Sequence, residues 1–299
     1  MEIIYIITYK CNLRCTYCPV KKKNISISSQ VINSSLKLFK RKIEKVKFFG
    51  GEPLLEFSKL KKLVTLIKAQ NPAVKFYLTT NGLLLDKEKF NWLKKNKINL
   101  TISLDGNEFT QLKNRRGSNS YKKIIEVLGN LPSETVFNVV IAPNTAKYFY
   151  YNFRYLVEKL GIRRFNILPA YYSDWTSLQL KVLARNLSFV LKYIKSNSLK
   201  NKLFLKNFEN FSDLTFFNRA LVIDCDGQIY NTNAFLVSQL ETHKENFRIG
   251  DVKTIKDVSD LKNNKLIAGK LDQFVSRHSL EINRQLDEIL NNFIYKYKK

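Results

Sequence analysis

Histidine is almost missing from this chain, with two in 299 residues, and cysteine stops at four. Both histidines, His243 and His278, are assigned no role. Four cysteines, three of them within eight residues, do not make the disulfide framework of a small secreted domain, so a reducing compartment is expected. Long apolar runs are lacking too. No segment reaches the roughly 18 residues of a membrane span, and the apolar run after Glu2 ends at Tyr9-Lys10, too soon for a signal peptide. These absences lead us to expect a soluble, cytoplasmic protein with no membrane partner. Acidic residues are half as frequent as basic ones, 25 against 51, which gives a formal net charge of +26. Such a balance favours anionic partners. The lysines are nevertheless spread along the whole chain among Asn and Ile, so nucleic acid is not the expected partner.

What the chain has is enough apolar material for a large core, 44% hydrophobic, in a length that suits two domains or one barrel with an extension. Ile3 to Ile7, Val46 to Phe49, Val74 to Thr79, Ile98 to Ser103, Val136 to Ile141 and Phe165 to Leu168 read as strands. Helical periodicity fills the intervals: Gln30 to Arg41, Phe57 to Lys68, Lys87 to Lys95, Tyr121 to Leu128, Tyr148 to Leu160 and Leu178 to Ile194. Strand and helix in alternation call for a parallel sheet with crossover helices, as a flat doubly wound sheet or as a partial barrel. Glycine is scarce, ten in all, yet Gly50, Gly51, Gly82 and Gly106 each fall just after a predicted strand. In parallel α/β proteins that is the end where ligands bind and where backbone must come close to them.

The cysteines Cys11, Cys15 and Cys18 fill one short loop after the first strand. Thiolates suit zinc or an iron–sulfur centre. A closed zinc knuckle needs a fourth ligand, and the next Cys or His in sequence is Cys225, so an open coordination position is expected. The loop, CxxxCxxC with Tyr17 before its last cysteine, resembles that of the radical S-adenosylmethionine (SAM) enzymes. Gly50-Gly51-Glu52-Pro53, Thr80-Asn81-Gly82 and Ser103-Leu104-Asp105-Gly106 follow in that family's order. The likeness covers roughly residues 1 to 200 and is similar to the branch of peptide and sulfatase maturases.

The resemblance selects the partial (β/α)6 TIM-like barrel over the flat sheet, with residues 1–200 as barrel and 201–299 as a reduced extension. It implies one [4Fe-4S] cluster on Cys11, Cys15 and Cys18, with SAM on the fourth iron. It also implies SAM contacts from Gly50, Gly51 and Glu52, ribose contact from Ser103, adenine contact from Tyr17, and an arginine, Arg115 or Arg116, at the SAM carboxylate. Glu52 has a second reading as a residue that fixes its loop, and Asp105-Gly106 reads as an ordinary turn. The expected electron donor is a flavodoxin or ferredoxin. The expected substrate is a peptide or protein; a small-molecule epimerase or dehydrogenase and an RNA-modifying enzyme are the competing readings, and a non-catalytic peptide-binding relative is the reading of another class.

Beyond Ile194 come an aromatic-rich run, Phe204 to Phe217, and a hairpin, Ala220 to Tyr230, around Asp226-Gly227. Arg248 to Val252 adds a short edge strand, and Ser279 to Tyr297 a packing helix. This resembles the start of the cysteine-rich extension of the peptide-modifying branch, but Cys225 is its only cysteine, so an auxiliary cluster on cysteine ligands is not expected. Cys225 is either packed in the hairpin or a hydrogen-atom donor to a substrate radical. Asp224 and Asp226 beside it are alternative proton acceptors.

Overall fold

The run Ile3 to Ile7 is buried without alternation, which is the burial of a central parallel strand covered on both faces. It forms the core of β1 (Glu2–Thr8) in the computed structural model, which describes residues 1–117, 119–208, 220–261 and 273–299. In chain order there follow β2 (Arg14–Cys15), α1 (Ser29–Phe39), β3 (Lys45–Gly50), α2 (Phe57–Gln70), β4 (Lys75–Thr80), α3 (Lys87–Lys95) and β5 (Ile98–Ser103). Next are α4 (Glu108–Asn114), β6 (Arg115–Arg116), α5 (Ser120–Leu128), β7 (Val136–Ile141), α6 (Phe149–Glu158), β8 (Arg164–Pro169), α7 (Ser177–Ser196) and β9 (Phe204–Leu205). β10 (Leu221–Ile223), β11 (Gln228–Tyr230), β12 (Arg248–Asp251) and α8 (Arg277–Lys298) follow among the described residues. Side-chain caps start several helices where the sequence offers them: Ser28 accepts from Val31 N, Asp86 from Lys89 N, and Thr176 forms a capping box with Gln179.

Two units divide the chain, each discontinuous in sequence. The first comprises the described residues of Met1–Asn12, Pro19–Thr101 and Phe216–Phe274. Its strands run in the order β12-β11-β10-β1-β3-β4 and then the start of β5. β10, β1, β3 and β4 are parallel, and β10, β11 and β12 are antiparallel. The Asp226-Gly227 hairpin is therefore no appendage. Its first strand lies beside β1, with Ile3 opposite Leu221 and Tyr5 opposite Ile223. Gly227 sits in the turn at φ +98°, the left-handed backbone that favours glycine there.

The second unit comprises Leu13–Cys18, Ile102–Thr215 and Val275–Lys299, again in their described residues. Here β7, β8 and β9 run parallel, and β2 pairs with β6 in a two-residue antiparallel ladder. α8 turns Ile282, Leu286, Leu290 and Phe293 inward and packs on α7 and β8. The class is mixed α/β with mostly parallel strands alternating with helices, consistent with the partial TIM-like barrel expected from the sequence. The aromatic run from Phe204 enters β9 and passes out of the described residues after position 208.

Candidate functional site

In the first unit the backbone itself explains two glycines. Gly50 has φ +137°, and a Cβ there would stand 2.2 Å from Thr8 O; one on Gly51 would stand 2.2 Å from Lys10 O. What the pair approaches is the chain ahead of Cys11. Gly51 N donates to Thr8 O at 2.7 Å and Glu52 N to Lys10 O at 2.8 Å. The Glu52 side chain then turns inward and is wholly buried. Its Oε1 accepts from Leu54 N (3.1 Å) and Thr80 Oγ1 (2.7 Å), and its Oε2 from Asn81 N (2.8 Å). A carboxylate so removed from water needs these donors. Asn81 in turn donates to Asn12 Oδ1 at 2.8 Å, and its Nδ2 lies 4.0 Å from Cys11 Sγ. The two motifs after β3 and β4 thus meet at the Cys11 end of the loop, with Glu52 tying one to the other.

Beneath this tie, Glu56 accepts from Ser26 Oγ (2.6 Å) and pairs with Lys10 (3.1 Å) and Lys59 (3.0 Å). Its burial works to raise its pKa, but the hydrogen bonds from Ser26, Lys59 and Lys10 prevail and hold it at about 2.

In the second unit the remaining loop residues meet the turn after β5. Cys15 stands opposite Arg115 in the β2–β6 ladder, and Thr16 N donates to Asn114 O at 2.8 Å. Tyr17, half-buried, donates its hydroxyl to Asp105 Oδ2 at 2.7 Å, with the Arg115 guanidinium 5.4 Å from the centre of its ring. Arg115 is buried and gives Asp105 a bidentate pair, Nε to Oδ2 at 3.1 Å and Nη2 to Oδ1 at 2.9 Å. Burial alone would lower the Arg115 pKa; Asp105 beside it reverses the direction and keeps the guanidinium charged. Arg116 is exposed, and Ser103 is buried at the end of β5. Asp105, read from sequence as a turn residue, is the hub that sequence reasoning missed. The signal present was the Asn107 cap three residues before Thr110, which starts the short α4 and sends the chain back past Asp105.

Cys225 sits beside β1 in the first unit. It is 4% exposed and its Sγ donates to Ile6 O at 3.1 Å. Burial, with Asp224 and Asp226 nearby, pushes its thiol well above the usual range. Asp224, also raised by burial, accepts from Tyr9 Oη at 3.0 Å.

Cys11 and Cys15 are partly exposed and Cys18 is exposed. Among the described residues no three Cys, His, Asp or Glu side chains gather around a point where a single metal ion would sit. By the chemistry of the donor set, three thiols on eight residues fit a sulfide-bridged cluster in which each iron would take one thiolate. No described helix is long and apolar enough to cross a membrane.

Residues 5–145 match the family model described as Radical SAM superfamily. The chain is similar to the radical SAM cyclopropyl synthase TigE of Paramaledivibacter caminithermalis, 24% identical over 200 residues that cover 57% of this chain and 42% of TigE. A GTP 3',8-cyclase of Chlorobaculum tepidum is 33% identical over 138 residues, covering 44% of this chain and 41% of that enzyme. The chain spans less than half the length of the curated relatives it matches. Among solved structures, anSMEcpe with bound AdoMet shares the fold with a TM-score of 0.75 at 19% identity, over 95% of this chain and 83% of that one. The same protein has been solved with AdoMet and a peptide.

Proposed function

We propose that the chain, whose residues 5–145 match the model of the radical SAM superfamily, is an enzyme that cleaves SAM reductively and removes a hydrogen atom from a peptide or protein. Cys11, Cys15 and Cys18 would hold a [4Fe-4S] cluster, and when bound that cluster supplies the electron that turns SAM into methionine and a 5′-deoxyadenosyl radical. The chain's own residues prepare the loop for it. Gly50, Gly51 and Glu52 bind the chain ahead of Cys11, and the Glu52 carboxylate is taken up by Thr80, Asn81 and Leu54; their backbone would border SAM. Tyr17 and Ser103 remain the candidates for adenine and ribose. Of the two arginines, Arg116 is the exposed one and suits the SAM carboxylate, since Arg115 is engaged with Asp105. A flavodoxin or ferredoxin would deliver the electron to a strongly basic protein.

The observation that carries the peptide reading is the reach of the fold likeness. It extends over 95% of the chain, far past residue 145, to a protein solved with a bound peptide. The test is to incubate reconstituted enzyme, SAM and reductant with peptides encoded next to its gene. A peptide product altered in mass, or carrying deuterium from deuterated water, is expected, with 5′-deoxyadenosine formed alongside. The GTP 3',8-cyclase relatives favour a second reading, a small-molecule substrate. Turnover of GTP but of none of these peptides would establish that reading instead.

A further inference from the structure

Asp105 presents one carboxylate, its side chain fully out of contact with water, to five donors. Oδ1 accepts from Arg115 Nη2 and from Val140 N at 3.0 Å. Oδ2 accepts from Tyr17 Oη, Arg115 Nε and, at 3.2 Å, Asn114 Nδ2. Asn114 is itself fixed, its Oδ1 accepting from Thr145 Oγ1 at 3.1 Å. One donor therefore comes from β7, three from the end of α4 and the start of β6, and one from the cysteine loop.

The cysteine loop leans on these same residues. Cys15 pairs with Arg115, Thr16 N bonds to Asn114 O, and the Tyr17 ring faces the Arg115 guanidinium. A ladder of two residues does not persist by its own hydrogen bonds. Removing two charges from water is costly as well, and a hydrophobic pair of the same volume would serve packing at least as well. The geometry is what an apolar pair would not supply: it orients Arg115 so that its backbone meets Cys15 and its side chain meets Tyr17.

We propose that Asp105 is a positioning residue for the cysteine loop, acting through Arg115, Asn114 and Tyr17 to hold Cys15 and its neighbours in place before any cluster binds. The inference rests on the proposed function only in taking Cys15 and Cys18 as cluster ligands. Arg115 belongs to the same device and acts on the loop.

The chain carries its own control for the test. Cys15 and Cys18 report on the loop, whereas Cys225, buried against Ile6 O, reports on opening of the β10–β11 hairpin. Metal-free, reduced protein is alkylated with iodoacetamide and the rate at each cysteine is followed by mass spectrometry. Asp105→Asn, which leaves Arg115 buried without its charge partner, should raise the rates at Cys15 and Cys18 by about ten-fold and leave Cys225 unchanged. Tyr17→Phe, which removes one hydroxyl and no charge, should raise them by roughly three-fold with an unaltered melting temperature. Wild-type rates at Cys15 in both variants would overturn the proposal. A parallel rise at Cys225 would overturn it too, since Asp105 would then hold the whole fold and not the loop. On reconstituted protein, Asp105→Asn should also lose iron to a chelator faster than wild type. Because the alkylation needs no cluster, protein that takes up zinc and no iron would defeat the functional reading while leaving this result standing.

Discussion

Replacing Glu52 by Gln separates a loop-fixing carboxylate from one that exists to meet SAM. The carboxylate is fully buried and accepts from Leu54 N, Thr80 Oγ1 and Asn81 N. An amide of the same shape keeps one acceptor oxygen and turns an NH2 toward at least one of these donors. A buried donor left unsatisfied costs about 1–3 kcal/mol, with bonds to charged groups at the upper end, so Glu52→Gln should cost about 2–3 kcal/mol. In a domain of this size each kcal/mol lowers Tm by about 2–4 °C, so a fall of about 4–12 °C is expected, with a larger one for Glu52→Ala. The assay is thermal unfolding of the metal-free protein, followed by far-UV circular dichroism without SAM. A Glu52→Gln variant melting within about 1 °C of wild type but binding SAM weakly after reconstitution would refute the reasoning.

Glu56, held at about 2 against an ordinary 4.5, contributes stability that is fully present above pH 4.5 and is lost as pH falls toward 2. Glu56→Gln should therefore flatten the acid limb of an unfolding curve between these values, and an unchanged limb would remove the assignment. Cys225→Ala should still form 5′-deoxyadenosine and the same product, because the thiol is closed off against Ile6 O; loss of deuterium incorporation from deuterated water in that variant alone would make Cys225 a hydrogen-atom donor. SAM turnover driven by a flavodoxin should fall as salt rises, since the charge of +26 attracts an acidic donor through screened fields. Salt-independent turnover would discard the electrostatic part of the docking.

Local chemistry made much of the fold legible. β5 and β7 lie where Ile98 to Ser103 and Val136 to Ile141 place them, and α3 spans Lys87 to Lys95 behind its Asp86 cap. Buried parallel strands are continuous apolar runs bounded by polar turns, and such runs are visible without neighbours. Pairings over long stretches of chain were not legible. Nothing in Ala220 to Ile223 says that β10 will lie beside β1, and nothing in Phe204-Leu205 says that β9 will lie beside β8. At the site the motifs singled out Glu52 and Cys11 from the sequence, while the connection between them through Thr80, Asn81 and Asn12 is tertiary. Asp105 illustrates the limit best. An Asp-Gly pair is an ordinary turn in sequence, and its five donors come from positions as far apart as Tyr17 and Val140.

The most direct measurement is made on protein purified and reconstituted without oxygen. Iron, sulfide and zinc are quantified per chain, and 5′-deoxyadenosine is followed after SAM and a low-potential reductant are added. About four irons and four sulfides, with 5′-deoxyadenosine formed by the wild type and abolished by Cys11→Ala, Cys15→Ala or Cys18→Ala, is the predicted result. Zinc without iron, or an iron-loaded protein that leaves SAM intact, would contradict it.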